Sequence, residues 1–223
     1  MSETYAKEFD GIVAKARATQ KPMRVAVAGA AAENILKGVF EAQADGFVEP
    51  ILIGKEAKIR ELLKQLGLED RPCRIQNLDS SVNPVQYAIE MIRAGEADCL
   101  MRGNTHTRDF LMPVLNKANH LVREDALVTH VVFLKVPGYP KLLAVSDVTL
   151  LINPNMETRR EVVANMTRAL NVFDVQKPNI ALLSLVETPS FQMRDTVEDE
   201  TMCASTPTAP LPTAIWWGPS PMT

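Results

Sequence analysis

The chain has 223 residues, of which 46% are hydrophobic and 23% charged, and a formal net charge of −3. That is the composition of a soluble globular protein with one large domain or a domain and a half, and the absence of a long basic run excludes a general nucleic-acid binder. No apolar run approaches the roughly 20 residues needed to span a bilayer, and the polar opening MSETYAKEFD lacks the apolar core of a signal peptide.

A cytoplasmic protein with a small-molecule partner and no membrane contact is therefore expected. Cys73, Cys99 and Cys203 have neither zinc-ligand nor redox-pair spacing and are expected as free thiols. His106, His120 and His130 form no tight ligand motif, so no metal is expected.

After a short amphipathic segment, MRVAVAG (23–29) reads as a buried strand. The helix after it carries Ile35, Leu36, Val39 and Phe40 on one face, with Gly46 placed to stop it. VEPILIG is the next strand, followed by a helix with Ile59, Leu62, Leu63 and Leu66 on one face and ended by Gly67. RIQNL is a weaker strand, and the helix beyond it uses Val85, Ala88, Ile89 and Ile92. Strand and helix alternate, which predicts an α/β fold with a mostly parallel sheet covered by helices on both faces. The run VAVAGAAAEN has a single glycine, so a dinucleotide-binding turn is not expected.

ADCLM, a further strand, leads into MRGNTHTRDFLMPVLNK (101–117). Phe110, Leu111, Val114 and Leu115 recur at helical spacing, while Arg102, Gly103, Thr105, His106 and Thr107 crowd the prospective helix N-terminus. Unpaired N–H groups and the positive end of the helix dipole favour an anion there. Thr105 or Thr107 can equally serve as a plain N-cap, with His106 on the surface. Next, VTHVVFLKV and KLLAVSD flank the turn PGYP and predict an antiparallel pair, with His130 and Asp147 at its ends. Asp147 suits an acid or base, or a hydrogen bond to a backbone turn. INPN predicts a helix start with Asn153 as N-cap and Pro154 first in the helix, which then buries Val162, Val163, Met166 and Leu170. KPNIALLSLVE reads as another buried strand.

RGNTHTRDFLMPVLNK, THVVF, SDVTLLINP and NIALLSLVE, in this order, resemble the phosphate acetyl- and butyryltransferase family from about Arg24 to about Met202. VPGYPKLLAVSD looks closer to its butyryltransferase-like branch. The resemblance implies transfer of an acetyl or short-chain acyl group between coenzyme A and inorganic phosphate, with coenzyme A as substrate or product and no separate cofactor. It implies an isocitrate/isopropylmalate dehydrogenase-like two-domain fold, and a homo-oligomer for the full-length family protein. Arg102, Gly103, Thr105, Thr107, Arg108, His130 and Asn153 are the substrate-binding candidates, and His106 or Asp147 would orient groups or move a proton. Many acetyltransferase members carry arginine where this chain has Met112; if that arginine holds substrate anions, Arg102, Arg108 or another residue would do so here. The family's general-base aspartate, with its serine and arginine, lies in a C-terminal segment that this sequence does not contain.

From Met202 onward, MCASTPTAPLPTAIWWGPSPMT is rich in proline, threonine and alanine and lacks apolar periodicity. It reads as a low-complexity linker, or as an out-of-frame tail. The second is preferred, because back-translation read two bases later permits REHADRP followed by a segment ending in GPIAYD, which resembles the family. The expected organisation is an N-terminal α/β domain over 1–150, the start of a second over 151–201, and an irregular tail over 202–223. NIALLSLV would then lack sheet neighbours, and the chain would be an inactive fragment of a transferase. A non-catalytic module that binds an anion or coenzyme A is the alternative.

Overall fold

The computed structural model describes residues 6–19, 21–140, 142–183 and 188–205. They group into two compact units, one formed by Phe9–Ala126 and the other by the chain from Leu127 with the opening of α1 (Ala6–Ala18).

The unit Phe9–Ala126 is a four-stranded parallel sheet in the order β3-β2-β1-β4, built from β1 (Met23–Ala28), β2 (Val48–Gly54), β3 (Arg74–Asn77) and β4 (Cys99–Arg102). Helices α2 (Glu33–Ala44), α3 (Glu56–Gln65), α4 (Pro84–Arg93) and α5 (Thr107–Leu115) connect and follow the strands. Because strand side chains alternate between faces, β1 and β2 feed two cores. Val25, Val27 and Leu52 pack with Leu36, Val39 and Phe40 of α2 and Ile59 and Leu63 of α3. Ala26, Ala28, Ile51 and Ile53 pack with Val85, Ala88, Ile89 and Met91 of α4. Alanine at two of the β1 positions lets α4 approach the sheet closely.

At the amino end of the sheet, Asp98 fixes β1 against β4. Its carboxylate accepts from the Arg24 backbone N–H at 2.9 Å and from the Arg24 guanidinium at 2.7 and 3.0 Å. These hydrogen bonds from Arg24 hold the Asp98 carboxyl well below the usual carboxylate range.

The second unit contains the antiparallel hairpin β5 (Val132–Lys135) and β6 (Leu142–Val145), which forms a sheet of its own. Phe133 on β5 meets Phe173 edge to face, with ring centroids 5.1 Å apart. Phe173 caps α6 (Met156–Val172), and α7 (Arg194–Ser205) is clamped to α6 by ion pairs from Arg159 to Glu198 and Asp199. Among the described residues, the buried apolar side chains lie in the unit Phe9–Ala126 except for Val162 and Met202.

Three expectations need correction. Asn153 is not an N-cap: it has a left-handed φ of 46°, and Asn155 caps α6 by accepting from the Thr158 N–H at 2.8 Å. An N-cap carboxamide must reach the N–H of the second or third helical residue, and the two extra residues put Asn155 within that reach. Residues 179–183 are not a strand, and Leu183 is 78% exposed. A strand buried on both faces needs partners for both edges, and among the described residues none pairs with this segment; Ser184, Leu185, Val186 and Glu187 lie outside them. Finally, α7 runs on to Ser205, past the expected start of irregular chain at Met202. The out-of-frame reading of the tail concerns mostly residues outside those described.

Candidate functional site

The strand order reverses at β1. The chain moves from β1 to β2 to β3 in one direction, and α4 carries it back to place β4 on the other side of β1. In open parallel sheets the carboxyl ends of the strands flanking such a reversal form a natural ligand crevice. Here those ends are Gly29 after β1 and Gly103 after β4. They touch: the Gly103 N–H donates to the Ala28 carbonyl at 2.9 Å and the Asn104 N–H to the Gly29 carbonyl at 2.7 Å. A β-carbon on Gly103 would stand 2.3 Å from the Gly29 oxygen, so no other residue fits without backbone movement.

That contact places the start of α5. His106 is its N-cap residue, extended at φ −62° and ψ 145°, and its side chain makes no capping hydrogen bond. Neither threonine caps the helix. Thr107 is the first helical residue, and its Oγ1 accepts from Arg102 Nη1 at 2.7 Å. Thr105 Oγ1 is buried without a hydrogen-bond partner. Arg108 is exposed in the first turn of α5.

A polar recess lies between the N-terminal ends of α4 and α5. Ser80, Ser81 and Asn83 form one wall, and Thr105, His106 and Asp109 the other. The two helix ends are not equivalent. At α4, Asn83 Oδ1 already accepts from the Val85 and Gln86 N–H groups at 2.8 and 3.3 Å, whereas the first-turn amides of α5 have no intrahelical acceptor. An anion in the recess would therefore be drawn to the α5 end and meet hydroxyl and amide donors across from it. Asp109 opposes that attraction with its own charge. Ser80, Ser81 and Asn83 escaped the sequence reading. The signal for them was SSVNP ahead of an apolar run, a helix start like the one at Thr105 and Thr107.

His130, Asp147 and Asn153 belong to the other unit. Asp147 Oδ2 accepts from the His130 N–H at 2.7 Å, and Oδ1 from the amides of Thr149, Leu150 and Leu151 at 2.9, 2.6 and 3.1 Å. Desolvation opposes its ionisation, but these four N–H donors outweigh it and hold the carboxyl below its usual range. His130 Nδ1 is 2.8 Å from Thr149 Oγ1. Both carboxylate oxygens are thus engaged in closing a backbone turn, the second of the two uses open to this aspartate. Asn153 is exposed two residues beyond that turn. Among the described residues no group of three or more histidine, cysteine or acidic side chains is arranged to hold a metal ion, and no helix is long and apolar enough to cross a membrane.

The unit is a parallel α/β sheet of the open, helix-covered class, with a polar recess between the N-terminal ends of α4 and α5. Comparison with known proteins narrows that class. The family model described as phosphate acetyl/butaryl transferase matches residues 74–204, and the chain belongs to this family. It is 31% identical over 196 residues to the phosphate acetyltransferase of Rhizobium meliloti, covering 88% of this chain and 61% of that protein. It is 27% identical over 192 residues to the phosphate butyryltransferase of Clostridium acetobutylicum, covering 86% of this chain and 63% of that one. In fold it is similar to a branched-chain phosphotransacylase from Enterococcus faecalis, with a TM-score of 0.69 and 22% identity over 85% of this chain and 66% of that structure. The chain spans about three fifths of the length of these curated relatives.

Proposed function

We propose that the chain carries the phosphate-holding part of an acyltransferase that moves an acetyl or short-chain acyl group, such as butyryl, between coenzyme A and inorganic phosphate in the cytoplasm. The observation that supports this most is the family match over residues 74–204, which includes the recess at the α5 N-terminus. In this reaction a phosphate oxygen attacks the thioester carbonyl. The new acyl–oxygen bond forms, the carbon–sulfur bond breaks, and the coenzyme A thiolate leaves and takes up a proton. The protein's part is chiefly to hold two anionic reactants at attack distance.

In this reading the α5 first-turn amides and Thr107 bind phosphate, and Arg102, already directed at Thr107, supplies a charge-assisted donor. His106, whose ring is not used in capping, moves or shares the proton. Asp147 acts by shaping its turn.

The chain spans about three fifths of the length of these relatives, and in this reading its residues hold phosphate rather than turn over acyl-coenzyme A by themselves. The test is a phosphate titration of the 15N-labelled chain, paired with an acyl-phosphate assay. Shifts at the Thr105, Thr107 and Arg108 amides support the site; phosphate that leaves them unmoved rejects it. A second reading is a non-catalytic module for an anion or coenzyme A. Acyl-phosphate formation by the 223-residue chain would exclude it.

A further inference from the structure

Asn119 is 5% exposed and lies in the 3-10 turn Lys117–Asn119 that follows α5. Its carboxamide forms a closed pair with Gln86: Oδ1 accepts from Gln86 Nε2 at 3.0 Å, and Nδ2 donates to Gln86 Oε1 at 3.0 Å. Nδ2 also donates to the Pro113 carbonyl at 2.8 Å, which anchors the pair to the last turn of α5. Gln86 sits in the first turn of α4, where its backbone N–H is held by Asn83 Oδ1. A line of hydrogen bonds therefore runs from α5 through Asn119 and Gln86 to Asn83, a residue in the wall of the recess.

An apolar pair would fill the same space with little change in stability, because buried hydrogen bonds contribute modestly once desolvation is counted. What two carboxamides add is direction. They fix the rotation and height of the α4 first turn relative to α5, as packed methyl groups do not. The other side of the recess is fixed independently by the Gly29–Gly103 contact.

We propose that Asn119 is a positioning residue, which through Gln86 holds the N-terminal turn of α4 at the distance from α5 that phosphate requires. This rests on the reading of the recess as a phosphate site.

Amide spectra of the full chain titrated with inorganic phosphate carry the test. The Gln86→Leu/Asn119→Leu variant replaces both carboxamides and leaves the Pro113 carbonyl to the Asn116 N–H, so its unfolding midpoint falls modestly and it stays folded, while phosphate affinity falls about tenfold. Without phosphate, its Val85 and Thr107 amides shift and those of β1 do not. The exchanged pair Gln86→Asn/Asn119→Gln keeps a carboxamide on each side and recovers affinity. A purely structural role would change stability alone. A folded double-leucine variant with parental affinity, or with unmoved Val85 and Thr107 amides, overturns the proposal. If the parent itself shows no phosphate response, the recess reading has failed, and the amide shifts without phosphate still decide whether Asn119 sets the two helix starts.

Discussion

Gly103 lies so close against Gly29 that the carbonyl of the one residue occupies the place of a side chain on the other. A β-carbon on Gly103 would sit 2.3 Å from the Gly29 oxygen and 2.7 Å from the Ala28 oxygen, both rigid backbone atoms of the central strand end. Gly103→Ala is therefore expected to lower stability by about 1–3 kcal/mol, the range for forced overpacking. Gly38 is the control. It is exposed within α2, with open space where a β-carbon would go, and Gly38→Ala should raise stability by about 0.5–1 kcal/mol. Urea unfolding of both variants checks the pair; equal effects would remove the contact from the account.

Asp109 gives a prediction in which stability and binding move oppositely. Its carboxylate sits in the first turn of α5 and in the wall of the recess. Asp109→Asn should cost about 0.3–1 kcal/mol of stability by removing an anion from a helix N-terminus. The same change removes repulsion and should tighten phosphate binding about threefold. Calorimetry of unfolding, with a phosphate titration, reads both.

The Asp147 turn predicts a pH dependence. Four N–H donors hold its folded pKa below the ordinary 3.8, so its stabilisation is present in full above that value and is lost as pH falls through the lower folded pKa. Asp147→Asn should remove about 1 kcal/mol at neutral pH, allowing for solvent screening, and flatten this acid limb. Hydrogen exchange at the His130, Leu150 and Leu151 amides measures it. Unchanged protection at pH 7 would contradict the turn role.

Arg159 joins α6 to Glu198 and Asp199 on α7, and hydrogen bonds from Arg194 and Arg159 keep the Glu198 carboxyl below its usual range. Arg159→Met removes the cation shared by Glu198 and Asp199 and leaves Glu198 with Arg194 alone of the two arginines. Exchange protection of α7 should fall, with β1, β2 and α4 unaffected. Acidification should release α7 in the parent as well, since the Glu198 contribution exists only above its folded pKa.

The alternation of strands and helices as far as Arg102 was legible because each element of the unit Phe9–Ala126 carries its own period. VEPILIG is a strand from end to end, and Leu36, Val39 and Phe40 are buried as their spacing requires. From Leu127 onward, local pattern was a poorer guide. NIALLSLVE has the composition of a central strand, but a strand is made by its neighbours, and residues 179–183 have none among the described ones. Asn153 and Asn155 are equally good capping residues in isolation; only the reach to the Thr158 N–H separates them. The α5 end of the site was readable as a contiguous run of polar residues. The α4 wall was not, because Ser80, Ser81 and Asn83 join Thr105 and His106 only after the strand order has reversed.

That reversal also shapes how the chain is made. As synthesis proceeds from the N-terminus, β1 can pair with β2 soon after both have emerged, but its other edge has no partner until Cys99–Arg102 follows. Through the making of α3, β3 and α4, a strand destined for the core keeps one open hydrogen-bonding edge. Such edges recruit foreign strands. The interval before β4 arrives is thus when a nascent chain of this design most needs shielding by the ribosome or a chaperone.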